Sequence, residues 1–173
     1  FASNCFDHNN KILAICWGLQ VCSTAAGGKV NPGKNGAHIG IASDVTINNE
    51  GQKHFIYKDK KNIFTSPAFN FDEVSELPKD ATLLSSDKVN NVMGVSFSVA
   101  NSEIIGLQYH PDYEYFQMLN LIDGRKKRLF KNKHFSNEEE YQRHISYIKS
   151  ENELLNFYDR TCEVRNWLNY LNN

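Results

Sequence analysis

A cysteine near the start of the chain and a histidine far along it are the side chains best suited to covalent chemistry. Cys16 directly follows the apolar run Lys11–Ile15 and precedes the segment Trp17–Ala26, which can form a short helix. A cysteine at such a strand-to-helix turn is pushed into the open, and the neighbouring helix N-terminus favours the nucleophilic thiolate. His110, followed by Pro111, ends another predicted strand and could serve as its base.

Two features beside Cys16 would support a reaction at a carbonyl carbon. Gly18 removes a Cβ where a sharp turn brings backbone segments close. The backbone N–H of Trp17 would point to the place where an oxyanion forms. Taken locally, the pattern fits a catalytic cysteine and a buried structural cysteine equally well. A histidine before proline at a strand end is, by itself, more often an ordinary turn residue than a base.

The composition indicates a soluble, globular chain without a polyanionic partner. The 173 residues are 40% hydrophobic and 23% charged, with a formal net charge of −1. One domain is expected at this length. No apolar stretch is long enough to span a bilayer, and the charge balance offers no bulk attraction to nucleic acid or to an anionic membrane. We therefore expect a cytoplasmic protein that binds neither.

The four cysteines do not point to a metal site or to a disulfide framework. They form no CxxC pair, and no histidine–cysteine cluster has the spacing of zinc ligands. We expect no metal and no cofactor. Cys22 and Cys162 fit the usual role of a small buried hydrophobic residue, whereas Cys16 has a different setting. The fourth cysteine is Cys5.

The order of the predicted elements indicates an α/β fold. The run Lys11–Ile15 has the pattern of a strand buried on both faces. We expect a mainly parallel central sheet with flanking helices, a small antiparallel portion and C-terminal helices. The antiparallel portion is predicted at residues 82–109, with a hairpin loop at 100–103, and a helix is predicted from Tyr115 to a stop at Gly124.

The C-terminal third is predicted to form two helices on this core. Ser136 and Glu139 form a capping-box pattern before the first of them. In the second, Glu163 is expected to face solvent, opposite an apolar stripe at helical spacing. We assign residues 1–123 to a catalytic core and 124–173 to a helical extension packed on it. The stripe consists of Val164, Trp167, Leu168 and Leu171.

Two motifs resemble the signatures of class I, triad-type glutamine amidotransferases. The segment Ala14–Gln20 (AICWGLQ) resembles the family's G-[IV]-C-x-G-x-Q, and Gly106–Asp112 (GLQYHPD) resembles its G-x-Q-[FYW]-H-P-E. Their order and separation also match, so the resemblance covers roughly residues 11 to 123 and is more specific than either motif alone. Residues 124–173 are similar to the C-terminal extension of a bacterial subgroup often labelled GMP-synthase-like.

This resemblance implies a reaction and the residues that carry it. Cys16 would attack the side-chain amide carbon of L-glutamine, forming a γ-glutamyl thioester and releasing ammonia to a synthetase domain or partner. His110 would move the proton, and Asp112 would orient the imidazole, with Glu114 as the alternative acid. Gln20 would contact the amino-acid end of the substrate. The other expected substrate-binding residues are Trp17, Gly18 and Asn70.

The chain departs from the family pattern at several places. Asp112 stands where the family has glutamate, Phe69-Asn70 stands where many relatives have Ser-His beside the substrate pocket, and Ala14 replaces the first glycine of the elbow motif. Only 15 residues precede Cys16. Since the family places two βα units and a glycine-rich oxyanion loop upstream, roughly 60 or more residues would be missing, and we expect an N-terminally incomplete chain.

Two alternative functions remain open. A γ-glutamyl peptidase or hydrolase would use the same Cys16–His110 pair on a glutamyl conjugate, and the changes at Asn70 and Asp112 make this credible. A catalytically inactive, regulatory amidotransferase-like protein would also explain the altered acid. The sequence has no GxxxxGK[ST] phosphate-binding motif, so this chain is not expected to activate an acceptor itself.

Overall fold

The computed structural model describes residues 6, 8–154 and 156–172, so Cys5 lies outside the described residues. The strands are β1 (Lys11–Ile15), β2 (Lys29–Pro32), β3 (His38–Ile39), β4 (Ala42–Ile47), β5 (Ile63–Ser66), β6 (Phe69–Asn70), β7 (Asp72–Glu76), β8 (Thr82–Ser86), β9 (Gly94–Val99) and β10 (Ser102–Leu107). Six of them form the central sheet in the order β1-β10-β9-β8-β4-β5, and two small sheets accompany it, β2 with β7 and β3 with β6.

Helices pack around this sheet and form three apolar clusters with it. The helices are α1 (Trp17–Ala25), α2 (Asn49–Lys53), α3 (Tyr115–Lys131), α4 (Glu138–Leu154), α5 (Phe157–Arg160) and α6 (Cys162–Leu171), with a 3₁₀ turn at Phe55–Tyr57. One cluster joins α1 to the sheet through Leu19, a second contains Trp167 of α6, and a third lies between α3 and α4 around Ile122 and Ile148. No helix among residues 6, 8–154 and 156–172 is long and apolar enough to cross a membrane.

The expected α/β fold class is confirmed, but the strand directions differ from the expectation. Within the central sheet of the described chain only β1 and β10 pair in parallel, and the other four pairs are antiparallel. The reason lies in the connections. The β9–β10 link consists of Ala100 and Asn101, and so short a link joins only antiparallel strands, whereas a parallel pair needs a long crossover.

The parallel pair sets the position of both sequence motifs. Ile15 at the end of β1 lies opposite Leu107 at the end of β10. The backbone N–H of Cys16 donates to the Leu107 carbonyl at 2.7 Å, which continues the pairing by one residue. Since both strands end at the same edge of the sheet, Cys16 and the residues that follow Leu107 are brought together there.

Helix α1 rests on β10 at a glycine. A Cβ built on Gly106 would lie 2.3 Å from the Leu19 Cδ1 atom and 3.1 Å from the Val95 Cγ1 atom. Leu19 is fully buried, so its side chain fills the space that a residue other than glycine would need. Gly106 therefore lets α1, which begins directly after Cys16, pack closely on the strand that leads to His110.

Two glycine-to-alanine substitutions should change stability in opposite directions. Gly106→Ala should lower the free energy of unfolding by about 1–3 kcal/mol, because the new methyl group overpacks the contact with Leu19. Gly124→Ala should raise it by about 0.5–1 kcal/mol, because Gly124 lies inside α3 with nothing within 4 Å of a Cβ. Urea denaturation of both variants provides the measurement. An equal increase in the free energy of unfolding of both variants would show that Leu19 moves aside freely.

Two local expectations are wrong. Gly124 does not end α3, which continues to Lys131, because the helix keeps burying apolar side chains such as Leu129. The first C-terminal helix is capped by Asn137 and not by Ser136: Asn137 Oδ1 accepts the N–H of Glu140 at 2.8 Å. Helix α3 passes through residue 123 without a break. The division into a catalytic core of residues 1–123 and an extension of residues 124–173 stays a prediction.

The buried face of α6 also differs from the predicted stripe. Trp167 is buried, but Leu168 and Leu171 are exposed. Glu163, expected in solvent, is fully buried because Lys60 and Tyr109 bind its two carboxylate oxygens at 3.0 and 2.7 Å. A buried carboxylate that has both partners can lie on the packing face, and it turns the helix away from the purely apolar orientation.

Candidate active site

Cys16 lies at a sharp turn between β1 and α1. Its backbone has φ 52° and ψ −108°, in the positive-φ region that favours glycine. A residue other than glycine in such a conformation costs roughly 1–3 kcal/mol and persists only where the surrounding structure enforces it. Here the Leu107 carbonyl holds the Cys16 N–H, and the Cys16 carbonyl accepts the N–H of Gln20 at 3.2 Å in the first turn of α1.

The sulfur of Cys16 faces polar groups from two other segments. The Gln108 Nε2 atom donates to Sγ at 3.6 Å, and the Phe69 carbonyl oxygen lies 3.8 Å from Sγ. Gln108 is fully buried, and its Oε1 atom accepts from Gln20 Nε2 at 3.3 Å. Gln20 Nε2 also donates to the Asp72 carbonyl at 2.9 Å. A chain of hydrogen bonds thus fixes the amide group of Gln108 beside the sulfur.

His110 and Asp112 form a pair next to this sulfur. The His110 Nδ1 atom lies 3.2 Å from Asp112 Oδ1, and the His110 N–H donates to the Pro67 carbonyl at 2.7 Å. Burial lowers the pKa of His110 and is the largest single influence on it. Hydrogen bonds with Asp112 and Cys16, together with their negative charges, outweigh burial and raise the pKa to about 9. At neutral pH the ring is therefore mostly protonated, an imidazolium beside the Cys16 sulfur.

Glu114, the alternative acid, contacts other residues than His110. Its side chain takes part in a capping box with Gln117 at the start of α3 and contacts Arg160 Nη2 at 3.4 Å. The structure therefore places Asp112, and not Glu114, on His110. Tyr113 lies between the two acids in the chain, and its ring packs on the His110 ring with centroids 4.6 Å apart.

Asn70 lies near Cys16 but does not present a free side chain. It is buried, its Nδ2 donates to the Asp72 carbonyl at 3.0 Å, and its Oδ1 lies 2.9 Å from His38 Nδ1. The other ring nitrogen of His38 lies 2.7 Å from Asp87 Oδ2. Both polar ends of the Asn70 amide are thus bound by protein, and the contribution of β6 at Cys16 is the carbonyl of Phe69.

The other two expected substrate-binding residues lie beside the sulfur in sequence. Trp17 is 75% exposed, the most open aromatic ring next to the site. A Cβ on Gly18 would lie 3.8 Å from the Ala14 Cβ, an ordinary contact distance, so the backbone crowding expected at Gly18 is absent.

Gln108 is a site residue to which the sequence motifs alone assign no role. It stands two residues before His110 in the second motif, and it is the group that donates to the Cys16 sulfur. A signal for it exists in the sequence, because a polar side chain near the end of a predicted buried strand needs a partner. No group of three or more metal-binding side chains occurs among the residues that the structure describes.

Comparison with known proteins defines the class of this chain. The glutamine amidotransferase class-I family model matches residues 1–118, and the chain belongs to this family. The resemblance drawn from the two motifs is confirmed. A solved glutamine amidotransferase from Thermotoga maritima has the same fold, with a TM-score of 0.64 and 22% identity over 92% of this chain and 61% of that chain.

The similar curated proteins act on different substrates according to their names. γ-Glutamyl-L-1-hydroxyisopropylamide hydrolase from a Pseudomonas species is 25% identical over 190 residues, covering 99% of this chain and 64% of the relative. A glutamine-hydrolysing GMP synthase subunit from Methanococcus vannielii is 31% identical over 111 residues, covering 64% of this chain and 55% of the relative. The chain thus spans less than two thirds of either relative.

Proposed function

We propose that this protein hydrolyses γ-glutamyl amides through a γ-glutamyl thioester on Cys16. The observation that carries the proposal is the surroundings of the sulfur: Cys16 is half-buried at a strained turn, Gln108 donates to its Sγ atom, and the raised pKa of His110 keeps an imidazolium beside it. A thiolate–imidazolium pair is the arrangement that cysteine hydrolases use to attack an amide.

The reaction takes place in two balanced steps. The Cys16 thiolate forms a bond to the γ-carbonyl carbon, the carbon–nitrogen bond breaks, and the amine leaves with a proton from His110. Water then attacks the thioester while His110 takes one of its protons, so glutamate and the thiolate are released. Asp112 holds the ring through Nδ1 and leaves Nε2 for these transfers.

The preferred substrates in this proposal are γ-glutamyl amides that carry an organic amine. The support is the alignment with the Pseudomonas hydrolase, which extends over 99% of this chain and so includes the C-terminal helices. The alternative is release of ammonia from glutamine for a synthetase domain or partner. The similarity to the GMP synthase subunit supports it over 64% of this chain.

Substrate competition tests this proposal. The protein should release the amine from a γ-glutamyl alkylamide with a kcat/KM at least ~10-fold above that for ammonia release from glutamine, a discrimination of the size that one pocket contact provides. Mass spectrometry of the acid-quenched protein should find a glutamyl group on the peptide that contains Cys16. Preference for glutamine would favour the amidotransferase, and neither turnover nor acylation would favour an inactive regulatory protein.

A further inference from the structure

The chain neighbours of His110 and Asp112 are bound by residues of the C-terminal segment. Tyr109 donates its hydroxyl to Glu163 Oε1 at 2.7 Å. The carbonyl of the next residue but one, Pro111, accepts from Arg160 Nη1 at 3.2 Å, and the carbonyl of Tyr113 accepts from the same nitrogen at 2.8 Å. His110 lies between the first two of these anchored residues, and Asp112 lies between the last two.

Arg160 is built into this position. Its side chain is only 8% exposed, and its Nη2 atom contacts the Glu114 carboxylate at 3.4 Å. One guanidinium group thus binds three points of the loop that carries Asp112: two backbone carbonyls and one carboxylate. A lysine ammonium is a single donor point and cannot reproduce this planar set of contacts.

The second anchor is equally restrained. Glu163 is fully buried, and its other carboxylate oxygen accepts from Lys60 Nζ at 3.0 Å. Lys60 also donates to the Asp159 carbonyl at 2.7 Å, which ties the residue before Arg160 to the same network. The end of β10 and the junction of α5 and α6 are therefore joined by interlocked, buried polar contacts, which rigidify a site when every member is satisfied.

We propose that Arg160, supported by Glu163, is a positioning residue that holds His110 and Asp112 in register with Cys16. The inference rests on the proposed function of this pair. The His110–Asp112 contact of 3.2 Å is already at the long end of the hydrogen-bond range. Since the Asp112 side chain is partly exposed, its position depends on the loop backbone. A displacement of about 1 Å in a catalytic group can lower the rate ~10²-fold, so loss of the Arg160 contacts should reach the chemistry.

The test compares Arg160→Lys with Arg165→Lys. Arg165 is the matched control, because it lies in α6 and its guanidinium binds a backbone carbonyl, that of Tyr158, without contacting residues 109–114. Arg160→Lys should lower kcat roughly tenfold or more with little change in KM. By NMR, the pKa of His110 should fall from about 9 toward its ordinary value of 6.5. Arg165→Lys should change neither quantity.

The NMR titration needs no substrate, so two failures can be told apart. If the parent protein shows no turnover, the proposed function is refuted. The positioning role is still supported in that case if Arg160→Lys shifts the His110 titration and Arg165→Lys does not. A folded Arg160→Lys variant with unchanged kcat and unchanged His110 titration would overturn the positioning role. If Arg160→Lys does not fold, Tyr109→Phe, which removes only the hydroxyl bound to Glu163, should lower the His110 pKa; an unchanged titration there refutes the inference.

Discussion

Replacing Cys16 with alanine is expected to lower kcat/KM for any γ-glutamyl amide at least ~10³-fold, because no other group in the site can form the thioester. The variant should fold, since alanine at the turn removes only the sulfur and its contacts with Gln108 and Phe69. Amine release from the γ-glutamyl alkylamide is the measurement, with circular dichroism to verify folding.

Cys22→Ala is the matched control for this loss. Cys22 lies in α1, six residues after Cys16, and it is buried in the apolar cluster between α1 and the sheet, away from the described site contacts. Its substitution should change stability and leave kcat/KM within about twofold of the parent, as is usual for a residue away from the reacting groups. Alkylation by iodoacetamide should also modify Cys16 before Cys22. Retained activity in Cys16→Ala would refute the covalent mechanism.

Replacing His110 with glutamine is expected to lower kcat about 10²–10⁴-fold, the usual contribution of a general acid–base group. Glutamine keeps a polar side chain at the site but carries no proton that can be transferred.

Asp112→Asn should lower kcat roughly tenfold or more, and Glu114→Gln should have a much smaller effect, since Asp112 contacts His110 and Glu114 caps α3. Equal, small effects of both would show that another group orients the ring.

The same pair predicts a pH dependence of stability. Because the folded pKa of His110, about 9, lies above its ordinary value of 6.5, protonation of the ring stabilises the fold. This contribution is fully present below pH 6.5 and is lost as the pH rises to about 9. Asp112→Asn weakens this contribution, so the free energy of unfolding should differ more between the parent and this variant below the ordinary pKa of His110 than above its raised pKa. Urea titrations at about pH 6 and about pH 9.5 measure it.

The sequence by itself determined the family and the local elements around the candidate site. The apolar run Lys11–Ile15, the cysteine after it and the motif ending at Asp112 were sufficient to predict the elbow, the strand before His110 and the family. These signals are local: a buried strand is a short apolar run, a turn needs particular residue types, and a motif lies within about seven residues.

The orientation of elements relative to one another was decided only by the tertiary structure. The helical pattern predicts that Glu163 faces solvent. In the structure it is buried on the packing face, where it binds Lys60 and Tyr109, and Leu168 is exposed instead. Asn70 reads as a pocket residue, but His38 binds its amide oxygen.

The anchoring of the His110 loop by Arg160 likewise joins residues 47 to 49 positions apart. Such pairings cannot be predicted from periodicity or from local spacing in the sequence. The energy of a buried charge depends on partners that only the folded chain brings within hydrogen-bonding distance.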